Sequence, residues 1–170
     1  MSVLTTDTRG ASALPEGRSR RLYSDDERKR RDATDRTMVQ GVLAPLQFFV
    51  FLISLGLVFR YLLTGAGYEA ATLSILVKTA FLFVIMVTGA IWEKVVFGQY
   101  LFAPAFFWED VFSFGVIALH SLYVYALFAG ALSDFGLMLL ALGAYAAYVV
   151  NAGQFLWKLR MARLDAEGRK

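Results

Sequence analysis

Residues 70–91 read AATLSILVKTAFLFVIMVTGAI, with Lys78 the one charged side chain in the run. About 20 consecutive apolar residues in a helix cross the hydrocarbon core of a bilayer, so this stretch predicts a membrane span. Three more runs of comparable length and polarity lie at 39–63, 111–131 and 135–157. A hydrophobic fraction of 58% and a mean hydropathy of +0.54 exceed what a soluble core of 170 residues needs. The expected fold is all-α: a polytopic membrane protein with four transmembrane helices in a bundle.

The charges set the expected orientation. Nine basic residues precede the first span and five lie from Lys158 to Lys170, whereas the connections around Gly65 and Ser133 carry almost none. The positive-inside rule then puts both termini, and the segment joining spans two and three, in the cytoplasm. Residues 1–18 read as a disordered leader and 19–37 as a basic cytoplasmic helix. In that helix Ser24 followed by Glu27 forms a capping-box signature. Residues 38–157 make the transmembrane domain and 158–170 a basic tail. The basic segment is interleaved with acids and carries no nucleic-acid module, so it is read as a membrane-surface anchor with no nucleic-acid partner.

Between spans two and three, residues 93–110 are too polar and Pro-broken to cross a membrane and read as an amphipathic piece on the cytoplasmic interface. They end in Leu101-Phe102-Ala103-Pro104-Ala105-Phe106-Phe107-Trp108-Glu109-Asp110, where aromatic side chains deliver two adjacent carboxylates to the mouth of a helix. Aromatic rings favour the headgroup level. Glu93 and Trp92 lie at the end of span two; as a bland alternative, Glu93 and Lys94 are an interfacial stop signal. Gln47 on span one and Asn151 and Gln154 on span four fall near the same side. Pro45 should kink span one.

Glu109, Ser113, Val116 and His120 recur at steps of four, three and four and share one helical face. His120 is the only histidine and lies about 15 Å along the helix from Asp110. It suits a proton relay, an axial ligand to the magnesium of a tetrapyrrole, or a neutral cross-helix hydrogen bond. Lys78 either snorkels toward the periplasmic face or meets a substrate carboxylate. The absence of cysteine excludes disulfides, thiol nucleophiles and cysteine-held metal clusters. Gly-rich phosphate loops, serine elbows and zinc signatures are also missing. What is left is acid–base chemistry by carboxylates on a lipophilic substrate, without a cofactor or a metal of the protein's own. Addition or removal of water fits that inventory.

Six stretches carry a resemblance: Arg20-Arg21-Leu22-Tyr23, Arg31-Asp32-Ala33-Thr34, Val42 to Phe48, Ile91-Trp92-Glu93-Lys94, Leu101 to Ser113, and Asn151-Ala152-Gly153-Gln154-Phe155. They resemble the 3-vinyl bacteriochlorophyllide hydratase family, also called chlorophyllide a hydratase, over about residues 20–164. The resemblance implies a hydro-lyase of bacteriochlorophyll a synthesis, resident in the bacterial inner (intracytoplasmic) membrane. It would add water to the C3 vinyl group of a chlorophyllide to give the 3-(1-hydroxyethyl) product. Its expected partners are that tetrapyrrole, membrane lipid and other enzymes of the pathway. The family carries over no residue roles; the chemistry of the residues themselves makes Glu109 or Asp110 the acid, has Glu93 orient or deprotonate water, and lets His120 ligate the substrate's magnesium. Gln47, Trp92, Trp108, Asn151 and Gln154 line the substrate. The rival readings are a non-catalytic pigment-binding or assembly subunit of a photosynthetic complex, and a lipid or quinone binder.

Overall fold

The computed structural model describes residues 22–167, so the expected leader at 1–18 lies outside the described residues. Five helices follow one another: α1 Asp25–Ala33, α2 Asp35–Thr64, α3 Tyr68–Phe97, α4 Phe107–Ala129 and α5 Asp134–Glu167. There is no strand among the described residues. Helices α2 to α5 are each long and apolar enough to cross a membrane, which makes this a helical-bundle membrane protein.

Local chemistry sets the breaks. At the start of α1 the capping box is closed in both directions: Ser24 N–H donates to Glu27 Oε2 at 2.7 Å, and Glu27 N–H donates to Ser24 Oγ at 3.3 Å. Asp25, Asp26 and Glu27 in the first turn and Arg30 and Arg31 in the last suit the helix dipole. The α2–α3 turn is Gly65-Ala66-Gly67, in which both glycines take left-handed φ values of 71° and 88°. Such values let the chain reverse in three residues at no steric cost. Helix α2 runs unbroken through Pro45. Helix α3 continues through Glu93 to Phe97, and α4 begins at Phe107. The stretch expected as one interfacial piece, 93–110, is thus the last turn of α3, a connection at 98–106 and the first turn of α4. The extension of α3 has a packing cause: Val96 is fully buried in a cluster with Tyr23 and Phe106.

The helices form two hairpins, α2 on α3 and α4 on α5, closed into a ring by contacts of α2 with α5 and α3 with α4; α1 lies against α3. Lipid gives no hydrophobic drive for helices to associate, so small residues and interhelical hydrogen bonds must do it. Ala71, Ala126, Ala141 and Ala144 are buried at the seams. Gln40 Nε2 donates to Thr88 Oγ1 at 2.7 Å, Trp92 Nε1 to Thr37 Oγ1 at 3.0 Å, and Asn151 Nδ2 to Ser113 Oγ at 2.9 Å. Ser54 bonds both Ser74 and Tyr145, tying α2, α3 and α5 together.

Candidate active site

Three buried carboxyls meet at the end of the bundle where α3 stops and α4 starts. Glu93, Glu109 and Asp110 are at most 7% exposed. Two of them hold the connection between the helices: Asp110 Oδ2 accepts the Phe102 N–H at 2.6 Å and Glu93 Oε2 accepts the Ala103 N–H at 3.3 Å. Glu93 and Asp110 are also electrostatic neighbours across the junction of α3 and α4. Phe102 has a left-handed φ of 59°, which costs a residue with a Cβ roughly 1–2 kcal/mol. It is fixed there by its bond to Asp110 and by ring contacts with Phe107 and Phe114 at 5.7 and 5.5 Å.

Glu109, the third carboxyl, looks elsewhere. Its Oε2 accepts from Lys158 Nζ at 2.6 Å, and it opens onto a cleft of about 600 Å³ between α4 and α5. Trp108, Val150, Gln154, Trp157 and Met161 form the walls of that cleft, and both indoles are about two-thirds exposed. The cleft is an open, shallow groove with apolar walls and few polar groups, so a flat ligand would lie against it with one face uncovered.

The residues expected to line a substrate divide into groups. Trp108, Gln154 and Glu109 line the cleft. Asn151 falls between the cleft residues Val150 and Gly153, but its side chain turns inward and donates to Ser113. Trp92 packs on Phe97 and Phe106, each at 5.8 Å, in the aromatic cluster that holds Tyr23 and α1 to the bundle. Burial pushes the Tyr23 phenol up, and Arg31 above its ring partly offsets this. Gln47 and His120 lie inside the bundle, away from the cleft. Both amide atoms of Gln47 and Nε2 of His120 lack a partner among the described residues, while His120 Nδ1 bonds the Val116 carbonyl at 2.8 Å. Lys78 does not snorkel: it is completely buried, and its Nζ stands 3.7 Å over the Tyr148 ring.

Lys158, Trp157 and Phe102 are the site residues that sequence reasoning passed over. A signal for Lys158 exists, since Asn151, Gln154 and Lys158 continue one helical stripe at steps of three and four. It is masked because the apolar run stops at Trp157, so that residues 158–170 read as a tail.

Four apolar helices closed around a buried carboxyl cluster place the chain in the class of polytopic helical-bundle membrane proteins. The family profile described as 2-vinyl bacteriochlorophyllide hydratase (BCHF) matches residues 23–161, and the chain belongs to that family. Proteins named 2-vinyl bacteriochlorophyllide hydratase from Cereibacter sphaeroides and Rhodobacter capsulatus are similar to it. The first is 71% identical over 90% of this chain and 95% of its own length, the second 69% identical over 89% of each. No solved structure matches the chain.

Proposed function

We propose that this chain is a hydro-lyase that adds water to the vinyl group of chlorophyllide a, or of the 3-vinyl bacteriochlorophyllide, to give the 3-(1-hydroxyethyl) product. The vinyl-bearing carbon is C3 in current tetrapyrrole numbering and position 2 in the family's name. One observation carries the site assignment: of three clustered buried carboxyls, Glu109 alone opens onto the aromatic cleft. With the vinyl group against Glu109, the carboxyl gives a proton to the terminal vinyl carbon. The cation then forms on the carbon attached to the macrocycle, whose conjugation spreads the charge. Water adds there and loses its extra proton to the carboxylate, which restores the acid for a net gain of one water. The Glu93–Asp110 pair behind Glu109 is the proton reserve. Glu93 gives one oxygen to the Ala103 N–H and faces Asp110, so the reserve is a better role for it than orienting the water.

The protein sits in the bacterial inner membrane with both termini, and hence the carboxyl end of the bundle, in the cytoplasm. The basic residues at the two ends support this orientation, and it gives water access to the cleft.

The test is to express the chain in a host without the pathway, supply chlorophyllide a to its membranes, and follow the red absorption band and the product mass. A blue shift with the gain of one water is expected. Glu109→Gln should lower the rate by about 10²–10⁴-fold, the usual contribution of a general acid. A Glu109→Gln protein working at the wild-type rate would remove Glu109 from the chemistry. Unchanged pigment that co-purifies with the wild-type protein would make the chain a pigment-binding subunit instead.

A further inference from the structure

We propose that Lys158 recognises a free carboxylate on the pigment, exchanging Glu109 for that carboxylate as the macrocycle enters the cleft. This rests on the hydratase reading above and names which form of the pigment the cleft selects. A chlorophyllide carries its propionic side chain as a free acid, whereas in a chlorophyll the same group is a long-chain ester. The two differ in charge at one point, and the site needs a cation to tell them apart.

Lys158 is the cation at the cleft. Its walls are otherwise apolar or amide-bearing, and Lys158 is the basic residue among those that line it. Nζ is held 2.6 Å from Glu109 and 5.0 Å from the Phe106 ring, and the side chain is 26% exposed, so an incoming anion can reach it. The other internal ammonium cannot serve. Lys78 is fully enclosed, with Nζ 3.7 Å over Tyr148 and no opening to the cleft. Lys94 is turned toward the end of α3, where it donates to the Gly98 carbonyl at 2.7 Å.

At Lys158 one charge-assisted bond is replaced by another of the same kind, and the buried Glu109 left behind is neutralised by a proton taken up from the cytoplasmic side. The exchange also has a chemical result. Glu109 is freed from its cation only when a pigment with a free acid is in place, and it can then carry the proton that the vinyl carbon takes.

The experiment compares chlorophyllide a with its methyl ester on the wild type, Lys158→Met and Lys158→Arg, reading KM and kcat together with pigment binding by fluorescence. Loss of a hydrogen bond to a charged group is worth roughly ten- to a hundredfold in affinity. The wild-type protein should therefore bind the ester weaker by that factor. Lys158→Met should bind acid and ester within about twofold of each other, and Lys158→Arg should restore the preference. Binding is read separately from turnover, so the proposal is tested even in a preparation that adds no water, an outcome that would fail only the hydratase reading. A wild-type protein indifferent to the ester would overturn the assignment. So would a Lys158→Met protein that loses the same factor on both pigments, because Lys158 would then be no more than Glu109's structural partner.

Discussion

An ammonium at the bilayer centre costs roughly 2.5–3.5 kcal/mol on insertion scales, and Lys78 recovers part of that by standing 3.7 Å over the Tyr148 ring, a contact worth about 2 kcal/mol when desolvated. The two magnitudes leave a net cost. Lys78→Met should accordingly raise stability by about 1 kcal/mol, read as a higher midpoint in thermal unfolding in detergent. A fall would mean that Lys78 has a stronger partner than the ring. Phe102 poses the opposite problem, an L-residue held at a φ of 59° because its N–H serves Asp110. Ala and Gly at this position lose the ring contacts equally, but only Gly takes that φ freely. Phe102→Gly should thus be more stable than Phe102→Ala by about 1 kcal/mol, and equal midpoints would show that the backbone there is free to relax. Neither the partner of Lys78 nor the backbone of Phe102 was legible in the sequence. Tyr148 is 70 positions from Lys78, and the φ of Phe102 depends on a bond to another helix.

Among the elements, α1 shows best how far local signals reach. Ser24 and Glu27 announce the helix in four letters, and both hydrogen bonds form. What holds α1 to the bundle lies just outside it: Tyr23 stacks on Phe97 at 5.7 Å, and Arg31 lies 4.8 Å above the Tyr23 ring. Removing the cap with Ser24→Ala should cost α1 about 1 kcal/mol. Trypsin cleavage at Arg28 to Arg31 should then quicken by about fivefold, with the unfolding of α2 to α5 unchanged. A bundle that loses stability in parallel would mean that α1 is part of the core. The ends of α3 and α5 were harder to read. Hydropathy fades at Trp92 and at Trp157, yet both helices run on, to Phe97 and Glu167, because Val96 is buried under Tyr23 and Phe106 and Lys158 pairs with Glu109. A polar helix end in a membrane protein ends where its partners end, and those partners come from other helices.

At the scale of the whole molecule, the ring of four helices puts its polar residues in two places. One is the carboxyl end with its cleft. The other is an internal group of buried side chains, Ser54, Lys78, His120 and Tyr145, one from each spanning helix and all at about the same depth. The proposed orientation has a direct check, since the chain has no native cysteine. Ala66→Cys and Ser133→Cys should react with a membrane-impermeant maleimide added from the periplasmic side, and Gln99→Cys only after the membrane is opened. The reverse pattern would invert the bundle and put the cleft at the periplasmic face.

Four spans, their order and the basic ends were determined by the sequence alone, because hydrocarbon thickness and the cost of unpaired backbone in lipid act on each segment separately. The family resemblance was likewise carried by short stretches that need no fold to be read. The carboxyls at 93, 109 and 110 were legible as a group, being near in sequence and at helix ends. Their division of labour was not. That Glu93 and Asp110 face each other under two backbone amides, that Glu109 alone opens onto a cleft, and that its partner is Lys158, 49 residues on, were decided by the packing of α3, α4 and α5. The direction of a side chain at a helix end depends on the neighbours that packing supplies.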